Sequence, residues 1–292
     1  MSISKMSKWN LIINVGQCMN CYNCVLAERD EHLGNDFSSY SAPAAEQGES
    51  TIRIRRRVQG SAPMVETVYL PVMCNHCDNA PCMKAGGDAI SKRDDGIVII
   101  DPVKARGRKD IVKSCPYGAI VWNEELQLPQ TWIFDAHLLD SGWTIPRCQQ
   151  ACPTDVFEAA KIDDSAMKAR AQKENLRRLH EKLGAEPRVW YRDLDRWETC
   201  FIGGSVSATV DGRVECVAGG LVVLLRDDAV LLEMTTDAFG DFRFERLPKD
   251  SGRYQLEIRH ELGVANRVCG LGESQFLGEI RLASADSDSA SA

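Results

Sequence analysis

With 292 residues the chain has room for about two domains of ordinary size. Its 44% hydrophobic and 26% charged residues are a globular composition, and a net charge of −7 argues against nucleic acid as the main partner. No apolar run approaches the ~20 residues of a membrane span, and residues 1–10 lead into no stretch long enough for an export signal.

Residues 9–15 (WNLIINV) read as a strand running into Cys18, Cys21 and Cys24, a C-x2-C-x2-C run. Residues 25–32 look helical and 34–50 loop-like. Residues 51–58 (TIRIRRRV) alternate arginine with apolar residues, a strand with one cationic face. Residues 67–72 form another short strand before Cys74, Cys77 and Cys82, spaced C-x2-C-x4-C. Residues 96–101 (GIVIID) read as a strand, and 104–114 as a short helix leading into Cys115-Pro116. After Cys152-Pro153, residues 155–160 open a helical region. Residues 164–183 predict a surface helix, with Asp163 or Asp164 as N-cap and Gly184 at the C-cap.

Beyond Phe201 the composition changes. Residues 203–213, 219–225, 235–244 and 254–259 read as short strands of a β-sandwich. Residues 200–205 (CFIGGS) read as a turn between strands. The tail 283–292 (ASADSDSASA) is low-complexity and is expected to be disordered.

The chemistry lies in the cysteines. Each trio is one thiolate short of the four that a [4Fe–4S] cubane needs. Cys115 and Cys152 each precede a proline, and in ferredoxin runs such a cysteine completes a cluster whose other ligands lie elsewhere in the chain. Two trios and two singles make two complete sets. C-x2-C pairs also build structural zinc sites, but those usually take two pairs of ligands. Cys200, Cys216 and Cys269 have no ligand spacing and read as buried, inert thiols. His32, His76 and His137 flank cluster segments and read as hydrogen-bonding groups. Arg53, Arg55, Arg56 and Arg57 read equally as an acidic-partner surface, an offset to cluster charge or a solvated face.

The order of these pieces resembles the iron–sulfur small subunits of molybdopterin oxidoreductases in the dimethyl sulfoxide reductase superfamily, and among them the pyrogallol–phloroglucinol transhydroxylase type. The resemblance covers nearly the whole chain. It rests on the cysteine trios and on Asp30-Glu31-His32, Asp94-Asp95-Gly96-Ile97-Val98, Cys115-Pro116-Tyr117-Gly118, Trp122-Asn123-Glu124-Glu125, Ala136-His137-Leu138-Leu139, Pro146-Arg147-Cys148 and Pro187-Arg188-Val189.

It implies an α+β protein. A double ferredoxin-like [4Fe–4S] domain (residues 1–198, with a helical extension at 164–184) would precede a small transthyretin-like β-sandwich (199–282) and the acidic tail. It implies that Cys18, Cys21, Cys24 and Cys152 hold cluster one, and that Cys74, Cys77, Cys82 and Cys115 hold cluster two. Transhydroxylase-type subunits are expected to keep a third cluster. Its positions here are Glu28, Trp132, Asp135 and Cys148, which offer one thiolate, and an indole N–H cannot bind iron. The third cluster is therefore expected to be absent, with Trp132 filling its volume.

The function implied is that of a non-catalytic electron-transfer subunit in a cytoplasmic heterodimer, with no catalytic residue of its own. A large partner subunit would carry the molybdopterin. A polyphenol hydroxytransferase is the first expectation. A related phenol hydroxylase or catechol dehydroxylase, a free-standing ferredoxin-type carrier and a purely structural subunit remain as alternatives.

Overall fold

The computed structural model describes residues 6–283, so the predicted disorder of the tail lies almost wholly outside the described residues. The chain divides into two compact units, residues 1–56 with 68–194, and residues 57–67 with 195–292.

The first unit is organised by the strand Lys8–Asn14, in which Leu11, Ile12 and Ile13 are buried. It pairs antiparallel with Phe157–Ile162 and parallel with Val189–Arg192. A continuous apolar run buried on both faces suits such a central strand. The composition of residues 155–160 predicts a helix. Most of that segment instead lies in the strand Phe157–Ile162, because pairing with Lys8–Asn14 outweighs the helix preference of its Glu, Ala and Lys.

The helix expected over 164–183 ends at Lys173. Asp163 caps its start, accepting from the N–H groups of Ser165 and Ala166. Asn175 turns left-handed (φ 51°), and Leu176 N–H then bonds back to the Ala171 carbonyl at 2.8 Å, a helix-ending pattern that needs no glycine. Met167, Ala171 and Leu176 pack on Ile12 and Trp190.

Between these elements lie short hairpins, Ile90–Lys92 with Val98–Ile100 and Val121–Asn123 with Leu128–Gln130. The helix expected over 104–114 shrinks to Asp110–Lys113, preceded by turns. The arginine-rich segment forms the strand Arg53–Ser61, which pairs with Met64–Val72.

The second unit holds two four-stranded sheets. One joins Arg213–Cys216, Thr199–Val210 and Asp241–Pro248, with Gln275–Arg281 also paired to Thr199–Val210. The other runs Ala229–Thr235, Leu221–Arg226, Gly252–His260, Gly263–Leu271. Ile202, Phe242, Val222, Leu224 and Leu256 belong to one core that both sheets bury, as in a β-sandwich.

Residues 200–205 are not a turn but lie inside Thr199–Val210. A Cβ at Gly203 would collide with the Met64 sulfur, and one at Gly204 would lie 2.9 Å from the Phe242 ring, so both glycines serve close packing within a strand.

Candidate metal centres

Strand pairing explains how residues far apart in sequence meet. Ile13 lies opposite Phe157, and Asn14 N–H bonds to the Val156 carbonyl at 2.8 Å. The chain just after Asn14 and the chain just before Val156 are therefore at the same end of the sheet. The first carries Cys18, Cys21 and Cys24; the second carries Cys152. Helix Asn23–His32, with Cys24 in its first turn, packs on helix Arg147–Gln150, which Cys152 follows.

These thiols act on one another. Cys24 is pushed up to about 12, first by burial and then by Cys18, with Cys152 and Cys21 adding to it. Cys18 is raised by burial and by Cys152 and Cys21.

The second group forms around helix Pro81–Gly86, which carries Cys82, and helix Asp110–Lys113, which leads into Cys115. Cys82, Met83, Val112 and Cys115 pack against a core of Ile90, Val98, Ala105 and Ile111. Cys74, Cys77, Cys82 and Cys115 line one pocket, with Pro116, Tyr117 and Thr131 also in its wall. Burial is the main force raising these thiols, Cys74 to about 12 and Cys82 to about 11, with thiols of the same group adding to it. Cys77 is pushed higher still, again by burial first and then by Cys74, Cys115 and Cys82.

Four thiols gathered in one pocket would repel one another as thiolates, and a cationic core would relieve that repulsion. Among the described residues no three His, Cys, Asp or Glu side chains converge on a single metal ion. A cubane places one thiolate on each of four irons around a larger body, and a cavity lined by four thiols fits that need.

The loops are shaped to present N–H groups to sulfur. Asn20, Tyr22, His76 and Asp155 are left-handed non-glycine residues, each within three residues of a cysteine in these groups. Sulfur accepts from His76 N–H at Cys74 (3.5 Å), from Ala119 N–H at Cys115 (3.4 Å) and from Val156 N–H at Cys152 (3.4 Å). Such bonds tune cluster potential.

Arg53 donates to the Gly118 carbonyl, and Arg55 to that of Tyr117 at 3.2 Å, fixing the loop after Cys115. Arg57 donates to the carbonyls of Trp197 and Thr199 (2.9 Å for the latter) and to Cys200 sulfur at 3.3 Å. Three of the four arginines are thus internal clamps.

The positions Glu28, Trp132, Asp135 and Cys148 have other occupations. Glu28 is buried and accepts from Ser50 Oγ at 2.7 Å and Thr51 Oγ1 at 2.6 Å. Trp132 is buried, its ring 4.7 Å from Phe134 and 5.4 Å from His76. Asp135 accepts from Arg147 N–H at 2.7 Å and lies 3.7 Å from His32 Nε2. Cys148 is fully buried, and burial, with Asp135 next, pushes its thiol far up.

His76 Nδ1 accepts from Val98 N–H at 3.0 Å, while His137 Nε2 meets Glu31 at 3.0 Å. Asp30 and Glu31 also pair with Arg147, tying the Asn23–His32 helix to the segment before Cys152. Sequence reasoning missed this network, although its residues sit in the motifs that carry the family resemblance. It also missed Arg188, buried and bonded through two nitrogens to Asp78 (2.8 and 2.7 Å). Burial alone would raise the Asp78 carboxyl; the bonds from Arg188 and Lys92 outweigh it and hold the group below its usual range. Of the remaining thiols Cys200 is buried, but Cys216 is exposed and Cys269 half-buried, so the expectation of three buried thiols holds for one.

Residues 65–162 match the family model described as a 4Fe-4S dicluster domain. That span contains the second trio, Cys115 and Cys152, and leaves the first trio outside. The chain is 37% identical over 256 residues to the pyrogallol hydroxytransferase small subunit of Pelobacter acidigallici, covering 87% of this chain and 91% of that one. It is 27% identical to the thiosulfate reductase electron transfer subunit of Salmonella typhi (58% and 84% covered). To the arsenate respiratory reductase iron–sulfur subunit of a Shewanella species it is 29% identical (47% and 53% covered).

Proposed function

The chain belongs to the family of iron–sulfur small subunits that includes the pyrogallol hydroxytransferase small subunit, and on that premise we propose that it is the electron-transfer subunit of a molybdopterin enzyme acting on polyphenols. Cys18, Cys21, Cys24 and Cys152 would hold one [4Fe–4S] cluster, and Cys74, Cys77, Cys82 and Cys115 the other, in a double ferredoxin-like arrangement. When bound, the clusters supply one-electron chemistry. The observation that carries the reading is the cavity lined by four thiols drawn from two separate segments.

The chain's own residues hold and tune. Backbone N–H groups at His76, Ala119 and Val156 point at sulfur, and Arg53 and Arg55 fix the Cys115 loop. Glu28, Trp132, Asp135 and Cys148 stand where the resemblance would put a third cluster and offer one thiolate, and Glu28 is engaged by Ser50 and Thr51, so two clusters are proposed. The molybdopterin and the substrate site belong to a large partner subunit.

Met19, Tyr22 and Leu26 are exposed by 61%, 45% and 62% beside exposed Cys21, and such apolar surface suits a permanent partner. No helix among the described residues is long and apolar enough to cross a membrane. We place the protein in the cytoplasm, where thiols stay reduced. The second unit supplies a transthyretin-like sandwich and no catalytic residue.

The test is electron paramagnetic resonance of the anaerobically purified complex reduced stepwise. Two separately titrating [4Fe–4S] signals assigned to this chain by Cys77→Ser and Cys24→Ser support the reading. Signals that neither substitution alters would contradict it.

A further inference from the structure

The chain is acidic overall, yet residues 103–113 carry five basic side chains and one acidic. Lys104, Arg106, Lys109 and Lys113 are exposed there, as is Lys84 on the neighbouring helix Pro81–Gly86. Val103, exposed by 79%, adds an apolar point at the edge. The segments form one surface: Arg108 donates to the Ala85 carbonyl at 2.8 Å, and Lys104 to that of Asp88 at 3.4 Å. Three acids oppose this charge, Asp88 near Lys104, Asp110 on Arg108 and Glu124 on Lys109. Among the described residues Lys84, Arg106 and Lys113 have no ion-pair partner, so an excess of positive charge faces solvent.

The position of this face gives it meaning. Helix Pro81–Gly86 carries both Lys84 and Cys82, and Lys113 lies two residues before Cys115, so exposed basic side chains flank two thiols of the second group that pack against the core. We propose that this face is the docking surface for an acidic one-electron carrier protein, of the ferredoxin or flavodoxin kind, that sets the redox state of the enzyme. The proposal rests on the reading that Cys74, Cys77, Cys82 and Cys115 hold a cluster.

Interface cores between permanent subunits are depleted in lysine, whereas weak redox encounters are small and steered by charge. A lysine- and arginine-rich face therefore suits a carrier that binds and leaves. Charge complementarity selects an acidic one. In the exchange one electron moves from the reduced carrier to this subunit, and no bond is made or broken. A transhydroxylation neutral in electrons needs no carrier in each turnover, so the surface serves reductive activation and repair of the oxidation state.

The probe is a purified acidic [2Fe–2S] ferredoxin titrated calorimetrically into the anaerobic native complex at low and at physiological salt. Binding at low salt that weakens by about tenfold or more at high salt is expected. Lys104→Glu/Arg106→Glu/Lys113→Glu should abolish it, and the Gln triple variant should weaken it in part. A Lys182→Glu control should bind as the parent does, and all variants should keep the parent's iron content and the large subunit.

Salt-independent binding, or no binding by a complex with its full iron, would overturn the proposal. Loss of the large subunit on charge reversal would assign the face to the interface within the complex and overturn it too. Patch-dependent binding to anionic vesicles without binding to the carrier would do the same. A complex that binds the carrier but lacks the second cluster's iron would instead overturn the ligand reading.

Discussion

Lys92 donates from Nζ to the carbonyl oxygen of Cys77 at 2.8 Å. The same ammonium donates to the His76 carbonyl at 2.9 Å and pairs with Asp78 at 2.9 Å. A cation is thus fixed in the loop of the second cysteine group. The charges that act most on Cys18 and Cys24 are those of other cysteines.

Fixed positive charge favours the reduced, more negative form of a cluster. At an effective dielectric near 20 a unit charge several ångströms away is worth about 2 kcal/mol, on the order of 80 mV for one electron. Lys92→Met should lower the potential of the second cluster by roughly 50–100 mV and leave the first within about 20 mV. A redox titration followed by electron paramagnetic resonance reads both. Equal shifts at the two clusters would refute the asymmetry.

Cys148 tests the two-cluster assignment from the other side. It is fully buried beside Asp135, and its sequence neighbours do not complete a thiolate set. Cys148→Ala should keep all the iron of the parent, whereas Cys152→Ala should lose up to half of it. Iron and acid-labile sulfide analysis of both variants decides between these expectations.

Arg188 bonds Asp78 through Nε and Nη2 and reaches Asp164 at 2.7 Å. It joins the Cys74 loop to the start of the helix Asp164–Lys173. Removing Arg188 leaves Asp78 with Lys92 alone and Asp164 with Lys8 alone, so Arg188→Met should cost about 2 kcal/mol. Chemical denaturation followed by tryptophan fluorescence would show it, and a loss under about 1 kcal/mol would mean that the partners find water instead.

Asp140 is held down to about 2 by hydrogen bonds from Arg93 first and, after a smaller opposing effect of burial, from Tyr40. Its unfolded value is about 3.9, so the folded form binds its proton less readily. The stability it contributes is complete above about pH 4 and is lost as pH falls towards 2. The carboxylate is partly exposed, so the contribution is at most about 1 kcal/mol. Asp140→Asn should be slightly less stable at neutral pH and should converge with the parent near pH 2; a constant difference across that range would contradict the assignment.

Elements with strong local signals were legible in the sequence: the Lys8–Asn14 strand, the Asn23–His32 helix, and the two-stranded arginine segment. The cysteine spacing called for two sets, each a trio and a remote single; the family resemblance implied which single completes which trio, and the comparisons place the chain in that family. The failures have one physical cause, tertiary contact overriding local preference. Residues 157–162 have helix-forming composition but complete a sheet that only the fold creates. The helix after Asp163 stops at Lys173 because Leu176 and Leu179 turn into the core, and Asn175 supplies the left-handed cap that Gly184 was expected to provide. Gly203 and Gly204 looked like a turn because close packing and turning select the same residue. The role of the arginines at 53, 55 and 57 stayed open among three readings because their carbonyl partners are remote in sequence.

The most direct test of the central claim is the iron and acid-labile sulfide content assigned to this chain, in the native complex purified anaerobically and in its Cys24→Ser and Cys77→Ser variants. Two [4Fe–4S] clusters predict about eight irons and eight sulfides per chain, with each variant losing about four of each. About twelve irons in the chain would restore the third cluster, and zinc in place of iron would contradict the electron-transfer role.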